Sequence, residues 1–258
     1  MTSDMTFGTT FGTTGSLAVV SGGTRGIGLA LSLRLAHLGH RVAALYRGDH
    51  QAAREAAALG AGRIETHQVD MTRPDEVRAV SERLLAEHGA PEVLVNNAGI
   101  NRDRPFLELS DEDWDQVLAT NLSGPFHLTR ALAPAMVAAG RGAIVNVGAT
   151  TGIRPRANGV NYCASKAGLL HFTRCLALEL APTIRVNSLV PGFTDTPEVV
   201  ERYGLEDPVR RAEVLGQIPL RSLGTVEDIA DALEFLVGRP GRYVTGQQLI
   251  IDGGNFMG

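Results

Sequence analysis

The chain contains one lysine, two cysteines and no long apolar run, and each shortage excludes a class of protein. Cys163 and Cys175 are twelve residues apart on one predicted helix. At ~1.5 Å of rise per residue they lie roughly 18 Å apart, which is too far for an intrachain disulfide. We therefore expect two reduced cysteines in packing positions. No apolar run approaches the ~18 residues of a membrane-spanning helix.

Positive charge is also scarce. The 24 basic residues are outnumbered by 28 acidic ones, and the formal net charge is -4. This balance gives no reason to expect nucleic acid or an anionic membrane surface as a partner. The Gly- and Thr-rich N-terminus carries only the charge of Asp4 and has no signal-peptide features. We expect a cytoplasmic protein, and we predict no metal site.

The single lysine, Lys166, stands four residues after Tyr162. Apolar residues around the pair repeat at helical spacing, which predicts a helix. Residues i and i+4 share a helix face, so a phenol and an ammonium are presented together. An ammonium beside a phenol favours the phenolate, and we predict that it lowers the pKa of Tyr162 enough for acid–base work. The alternative is a solvated Tyr and Lys on an amphipathic helix.

The rest of the chain alternates short apolar runs with helical patterns, which predicts an α/β fold with a doubly wound parallel sheet of about seven strands and helices on both faces. Residues 1–15 repeat Phe-Gly-Thr-Thr and predict a flexible tail. No composition break divides residues 16–258, so we expect one domain there. Helices are predicted at 50–59, at 74–88 after a Thr72 cap, at 111–120 after a Ser110 cap, and at 225–237 with Thr225 as cap. Strands are predicted at 17–20, 41–46, 64–69, 92–95, 143–147, 184–189 and 248–251.

A Gly-rich turn follows the first predicted strand and opens a helix. Gly22, Gly26 and Gly28 allow close approach of a pyrophosphate, and the helix N-terminus offers free N–H groups. The spacing is G-x-x-x-G-x-G. In this position it favours a dinucleotide site over a simple tight loop.

The end of the second strand indicates which dinucleotide. An NAD site has an acidic residue there, whereas this chain has Tyr46 and Arg47. Arg47 and Arg25 could hold a 2'-phosphate. We therefore predict NADPH/NADP+ as the cofactor, with two surface arginines as the alternative. Asp70 and Met71 are expected to meet the adenine edge.

Together these residues resemble the short-chain dehydrogenase/reductase family from about residue 16 onward. The resemblance rests on the Gly-rich turn, Asp70, Asn96-Asn97-Ala98-Gly99, Asn121, Tyr162-x-x-x-Lys166, Pro191-Gly192 and Asp252-Gly253-Gly254. Within the family, the chain is similar to 3-oxoacyl-ACP reductases and polyketide ketoreductases. The resulting cofactor set is Gly22, Thr24, Arg25, Gly26, Ile27, Gly28, Tyr46, Arg47, Asp70, Met71, Asn97, Ala98, Gly99, Tyr162, Lys166, Pro191, Gly192, Phe193 and Thr194.

The resemblance also implies roles. Tyr162 would protonate the substrate carbonyl oxygen as hydride arrives, and Lys166 would lower the pKa of Tyr162 and hold the nicotinamide ribose. Asn121 would anchor a water of the proton relay, and Thr194 would meet the carboxamide. Residues 197–220 hold charge and two prolines, and a mobile lid over the substrate is expected there.

One catalytic position departs from the family pattern. The family has a Ser thirteen positions before the Tyr, and this chain has Ala149. Losing one donor to a developing oxyanion typically costs ~10²–10³ in turnover. Three interpretations stay open: an engineered Ser→Ala change, a natural site in which Thr150 or the substrate supplies the hydrogen bond, or a silent NADP-binding subunit.

The predicted activity is NADPH-dependent reduction of a β-keto group on an acyl or polyketide thioester, and we expect an acyl carrier protein to carry this thioester. The alternatives are an alcohol or sugar dehydrogenase and the silent subunit. Arg154 and Arg156 are hypothesised to receive the phosphate of a phosphopantetheine arm or an acidic carrier protein, against two solvated arginines. The resemblance further implies a homodimer or homotetramer that pairs through the Asn121 and Tyr162 helices.

Overall fold

The computed structural model describes residues 15–257, so the predicted flexible tail lies outside the described residues except for Gly15. Seven strands form one parallel sheet in the order β3-β2-β1-β4-β5-β6-β7, which confirms the predicted fold class. The strands are β1 (Leu17–Ser21), β2 (Arg41–Tyr46), β3 (Ile64–Gln68), β4 (Val93–Asn96), β5 (Gly142–Val147), β6 (Ile184–Pro191) and β7 (Gln248–Ile251).

The strand order reverses between β1 and β4, and this reversal places the site. Both strands are parallel, with Ser21 opposite Asn96 at their carboxyl ends. In an open α/β sheet, ligands bind in the crevice outside such a switch point. The Gly-rich loop after β1 and the Asn97-Ala98-Gly99 segment after β4 both leave the sheet there.

Helices cover both faces of the sheet. They are α1 (Gly26–His37), α2 (His50–Leu59), α3 (Pro74–His88), α4 (Asp111–Leu118), α5 (Gly124–Ala138), α6 (Val160–Leu180), α7 (Pro197–Tyr203), α8 (Pro208–Gln217) and α9 (Val226–Val237). Side chains of β1 alternate between two cores: Val20 packs with α1 and α9, whereas Val19 packs with α3, α5 and α6. An all-apolar strand buried on both faces is what a parallel sheet requires.

A chain of buried hydrogen bonds ties the central strands to α6. Asn96 Nδ2 donates to Asn146 Oδ1 at 2.8 Å, and Asn146 Nδ2 donates to Thr173 Oγ1 at 2.8 Å. Thr173 Oγ1 in turn pairs with Ser188 Oγ at 2.9 Å. Because buried polar groups are costly unless paired, this chain of bonds holds β4, β5, β6 and α6 in one arrangement. It thereby fixes the helix that carries Tyr162.

Two predicted caps are confirmed and one is wrong. Ser110 Oγ accepts the N–H of Asp113, and Thr225 forms a capping box with Asp228. Thr72 caps no helix: α3 follows Arg73, which makes no side-chain cap, and Pro74 opens the helix. Thr72 instead donates from its N–H and its Oγ1 to Asp70 Oδ1, because that carboxylate lies two residues away.

The segment at residues 197–220 contains α7 and α8 rather than an irregular loop. Leu205, Ile218 and Leu223 form a small core of their own, with Phe193 and Tyr203 packed against it. The expected mobility of this lid stays a prediction. Within residues 15–257, no helix is long and apolar enough to span a membrane.

Candidate active site

The Gly-rich loop forms a close turn onto α1. Gly22 and Gly26 have φ values of +63° and +52°, a region that favours glycine. A Cβ on Gly28 would collide with the carbonyl oxygen of Gly22. The loop therefore keeps backbone N–H groups at the start of α1 open to an approaching anion, which suits a pyrophosphate. Thr24 is buried within this loop.

Ser21 and Asn97 join the two loops at the switch point. Asn97 and Ala98 each donate a backbone N–H to Ser21 Oγ, at 3.0 and 3.1 Å. Asn97 Nδ2 donates to the carbonyl oxygens of Ser21 and Gly22. The side-chain amide of Asn97 thus holds the start of the Gly-rich loop against the segment after β4. The sequence reasoning missed Ser21, whose only signal was a hydroxyl residue at the end of an apolar strand.

Arg47 and Asp70, two of the residues expected to select the dinucleotide, lie together beyond β2 and β3. Arg47 Nε is 3.1 Å from Asp70 Oδ2. Burial raises the pKa of Asp70, but the hydrogen bonds from Thr72 and the charge of Arg47 outweigh it, so the pKa lies below its ordinary value. Arg25 is exposed at the N-terminus of α1. Two arginines and an ionised carboxylate fit a ribose phosphate beside an adenine, although the Met71 side chain is buried in the core.

Tyr162 and Lys166 project from the first turns of α6. Lys166 is 4% exposed. Its Nζ donates to the carbonyl oxygen of Val147, the last residue of β5, at 2.8 Å. The same Nζ lies 5.7 Å from the centroid of the Tyr162 ring. The structure brings the pair together, so the alternative of a solvated Tyr and Lys is excluded for Lys166.

The predicted lowering of the Tyr162 pKa is wrong in this structure. Burial raises the pKa of Tyr162 to about 12, and the charges around it do not overcome that loss of hydration. Burial likewise lowers the pKa of Lys166 to about 8, with Glu198 opposing the shift. The i,i+4 argument counted only the attraction between the two groups. It left out the cost of ionising either one inside the protein.

Asn121 lies in a π-helical turn, Ala119–Ser123, between α4 and α5. Its Oδ1 accepts the N–H of Ile100 at 2.8 Å. Its Nδ2 donates to Ile100 O at 2.9 Å and to Ser165 Oγ at 3.1 Å. The side-chain amide thus ties the segment after β4 to α6. The expected anchoring of a water stays a prediction.

Gly99 separates Asn121 from Lys166. A Cβ on Gly99 would lie 3.4 Å from Asn121 Oδ1 and 3.6 Å from Lys166 Nζ. Asn121 and Lys166 therefore border the same small space, and Gly99 adds no side chain to it. Such a space beside an ammonium is compatible with the predicted proton relay.

Ala149 lies at the start of the turn after β5. It has an extended backbone with φ -162° and ψ 153°, and it precedes a 3₁₀ turn, Thr150–Gly152. Its methyl group donates no hydrogen bond. The neighbouring Thr151 Oγ1 is buried and has no hydrogen-bond partner in the part of the chain that the structure describes. Thr150, which was predicted as the alternative donor, is half-buried at the start of the same turn, and that role stays a prediction.

Thr194 follows Pro191-Gly192-Phe193 at the end of β6. It is 1% exposed, and among residues 15–257 its buried Oγ1 has no partner. A Cβ on Gly192 would collide with the Cβ of Asp252, so the terminal Asp-Gly-Gly segment packs against this turn. An orphaned buried hydroxyl fits a polar group that arrives with a ligand, as a nicotinamide carboxamide would.

Two ion pairs lie close to Tyr162, and the sequence reasoning did not foresee either. Arg156 Nη2 donates to Asp103 Oδ1 at 2.8 Å. On α7, Arg202 Nη2 is 2.5 Å from Glu198 Oε1. Arg156 has a carboxylate partner in Asp103, and the hypothesis that it receives a phosphate or an acidic carrier protein stays a prediction. Arg154 is exposed.

The cysteines differ from each other. Both are free, but Cys163 is buried and Cys175 is exposed. The expected reduced state agrees with this placement, while the expected packing role is wrong for Cys175, which faces outward from α6. Within residues 15–257, no group of three or more His, Cys, Asp or Glu side chains could hold a metal ion.

Comparison with known proteins agrees with the fold. Residues 16–204 match the family described as short chain dehydrogenase. The 3-oxoacyl-[acyl-carrier-protein] reductase FabG of Escherichia coli is 36% identical over 244 residues, which are 94% of this chain and 98% of that protein. FabG of Thermotoga maritima is 38% identical over 247 residues, 93% of this chain and 97% of that protein.

A solved structure is also similar. A crystal structure from Sinorhizobium meliloti 1021, assigned to the short-chain alcohol dehydrogenases, superposes with a TM-score of 0.89 at 34% identity. The match covers 96% of this chain and 98% of that one. The similarity therefore extends over the sheet, the Gly-rich loop and the helix of Tyr162 alike.

Proposed function

Because this chain belongs to the short-chain dehydrogenase family, and is accordingly an oxidoreductase, we propose that it reduces the β-keto group of an acyl or polyketide thioester to a β-hydroxy group with NADPH. The observation that carries the proposal is the buried Lys166, held at Val147 with its Nζ 5.7 Å from the Tyr162 ring. It occurs in a chain 36–38% identical to FabG reductases over nearly its whole length.

The chemistry divides between the cofactor and the chain. The bound dinucleotide supplies the hydride that the carbonyl carbon accepts. Tyr162 gives its proton to the carbonyl oxygen, and Lys166 stabilises the phenolate that remains. Since burial holds the pKa of Tyr162 at about 12, the resting phenol keeps its proton at neutral pH. It becomes a useful donor only when charge develops on the substrate oxygen beside it.

The choice of NADPH rests on Arg47 and Arg25. Arg25 is exposed at the N-terminus of α1, and Arg47 lies just beyond β2, where it pairs with Asp70. A 2'-phosphate adds a second anionic partner for these cations. With NADH no group would occupy their free donors. We therefore expect a lower KM for NADPH than for NADH.

The test is the oxidation of NADPH, followed at 340 nm, with acetoacetyl-CoA as the substrate. We expect substrate-dependent oxidation that Tyr162→Phe abolishes. A matched control is Tyr243→Phe, because Tyr243 is 99% exposed and lies in no proposed site. If NADPH binds but neither acetoacetyl-CoA nor an acetoacetyl acyl carrier protein is reduced, the thioester assignment is wrong.

A second candidate is the activity of an alcohol or sugar dehydrogenase, and the similarity to the Sinorhizobium meliloti structure favours an alcohol as the substrate. A panel of alcohols and ketones would separate the two, since an alcohol dehydrogenase should turn over the panel faster than the thioester. Ala149 keeps a third candidate open, a silent NADP-binding subunit, which predicts cofactor binding without turnover even after a serine is introduced.

Self-association is part of the proposal. Apolar side chains on α5 and α6 face outward: Phe126 is 40% exposed, Val137 42% and Leu178 83%. Large exposed apolar residues on two adjacent helices favour an interface between copies. We propose a homodimer or homotetramer, with an acyl carrier protein as the transient partner. Sedimentation equilibrium of the chain and of Phe126→Glu would test it, since the charge should shift the mass towards the monomer.

A further inference from the structure

Arg156 lies in the loop between the Thr150–Gly152 turn and α6, beside Tyr162. Its Cζ is 5.8 Å from the centroid of the Tyr162 ring, and its Nη2 donates to Asp103 Oδ1 at 2.8 Å. Asp103 belongs to the segment after β4. A Cβ on Gly159 would approach Arg156 Cζ to 2.9 Å, so the guanidinium packs closely on the residue that precedes α6. These contacts from three segments fix one cation next to one phenol.

We propose that Arg156 is a positioning residue: held by Asp103 against the ring of Tyr162, it stabilises the phenolate form and makes Tyr162 a stronger proton donor. The inference rests on the proposed function in one respect, that Tyr162 is the proton donor. It concerns no contact with the substrate or the cofactor. A cation over an aromatic ring is attracted to its face, and the attraction grows when the ring becomes anionic.

Arg156 is one of three cations near Tyr162, together with Lys166 and Arg202. After burial, the causes that shift the pKa of Tyr162 come from α7 and from the loop before α6. Arg202 lowers the pKa and Glu198 raises it, and these two side chains form one ion pair. Their effects therefore oppose each other. Arg156 lowers the pKa, and Tyr203 raises it. The groups that face Tyr162 are Lys166, Arg156, Arg202, Glu198 and Tyr203.

Because Ala149 has no hydroxyl, stabilisation of the Tyr162 phenolate by Arg156 matters more for the reaction. A hydroxyl at residue 149 would share the negative charge that develops on the substrate oxygen. The methyl group of Ala149 does not. The proton from Tyr162 must then neutralise more of that charge. A cation that eases proton release by Tyr162 acts on the same step. The contacts of Arg156 with Asp103 and Tyr162 join three separate segments, so no local motif in the sequence predicts them.

The first experiment measures the ionisation of Tyr162 in the absence of any substrate. The chain is labelled with ¹³Cζ-tyrosine, and the Tyr162 resonance is assigned by its loss in Tyr162→Phe. At pH 11, one unit below a pKa of about 12, roughly a tenth of Tyr162 is phenolate. An opposite charge at 4–6 Å shifts a pKa by about one unit or more. In Arg156→Gln we therefore expect the phenolate fraction to fall about tenfold. A lysine at residue 156 would itself lose its charge at this pH, because its ordinary pKa is about 10.4, so Arg156→Lys is used only in the kinetic experiment near neutral pH.

The matched control is Arg78→Gln, which removes an exposed arginine paired to Asp75 at 3.0 Å on α3. This substitution also removes one positive charge, but it lies outside the site. A phenolate fraction in Arg156→Gln equal to that of the unsubstituted chain overturns the inference. An equal fall in Arg78→Gln overturns it too, because the effect would then belong to overall charge. Far-UV circular dichroism at pH 11 confirms the fold of each variant.

The second experiment is kinetic. In Arg156→Gln we expect kcat for ketone reduction to fall about tenfold with little change in KM, and Arg156→Lys to restore most of it. Asp103→Asn keeps Arg156 but removes the carboxylate that holds it. Its kcat should therefore lie between those of the unsubstituted chain and Arg156→Gln. A fall in KM alone, or an unchanged kcat, contradicts the inference. An unsubstituted chain that reduces no ketone counts against the proposed function only, because the resonance of Tyr162 needs no substrate.

Discussion

Replacing Ala149 with serine should restore a donor to the substrate oxygen. Ala149 lies half-buried at the carboxyl end of β5, with an extended backbone that serine adopts without strain. It precedes the turn that packs on α6, where a Cβ on Gly152 would come within 2.8 Å of the Lys166 backbone. A hydroxyl added here therefore faces the same end of the sheet as Tyr162.

The expected gain in kcat for Ala149→Ser is that of one preorganised hydrogen-bond donor. Such a donor to a developing oxyanion contributes about 2.7–4 kcal/mol, or ~10²–10³ in turnover. Because residue 149 is half-buried rather than enclosed, water competes for the hydroxyl. We expect a gain near the lower end, about a hundredfold in kcat for acetoacetyl-CoA reduction, with the KM for NADPH unchanged.

The assay compares initial rates of NADPH oxidation for the chain, Ala149→Ser, Tyr162→Phe and the double variant. The gain should disappear in the double variant, because the serine acts on the oxygen that Tyr162 protonates. Equal and substantial rates with alanine and serine would refute the reasoning. They would mean that another hydroxyl serves, and Thr151→Val would then identify Thr151 as that group. No turnover in either, with NADPH bound, would favour the silent subunit.

The remaining predictions concern cofactor choice, pH and stability. Arg47→Gln should lower the preference for NADPH over NADH about tenfold or more, since a hydrogen bond to a charged group contributes about 1.5–3 kcal/mol; equal KM ratios would contradict the 2'-phosphate assignment. Burial lowers the pKa of Lys166 from 10.5 to about 8, so the unfolded chain binds more protons between these values and stability should rise with pH there. Chemical denaturation of Lys166→Met should lack this rise between pH 8 and pH 10. Thr225→Ala should lose about 1 kcal/mol of unfolding free energy by removing the α9 cap, whereas Thr225→Ser should not.

The sequence predicted the elements well where one physical signal dominated. All seven strands were predicted to within two residues at their ends. The central strands β1, β4 and β5 gave the clearest signal because a parallel strand buried on both faces is largely apolar. Ser110 and Thr225 marked their helices because a cap is a contact between residues three apart. Thr72 failed as a cap because a competing carboxylate, Asp70, lies within reach of the same hydroxyl.

The sequence predicted which residues form the Tyr–Lys pair, but it did not predict their pKa values. Tyr162 and Lys166 are four residues apart on α6, so their proximity is a local property of the helix. Their proton affinities are not local, since burial raises the pKa of one and lowers that of the other. Burial comes from elements distant in the chain, and periodicity within a helix carries no information about it.

The sequence by itself determined the order of strands and helices, the Gly-rich turn, and the presence of a Tyr–Lys pair without the expected serine. These follow from hydrophobic period, backbone freedom and residue identity. Only the tertiary structure decided which charges surround Tyr162. Asp103, Arg156 and Arg202 come from three segments, after β4, before α6 and on α7. Electrostatic effects depend on distance in space and on hydration, and both are set when the chain packs.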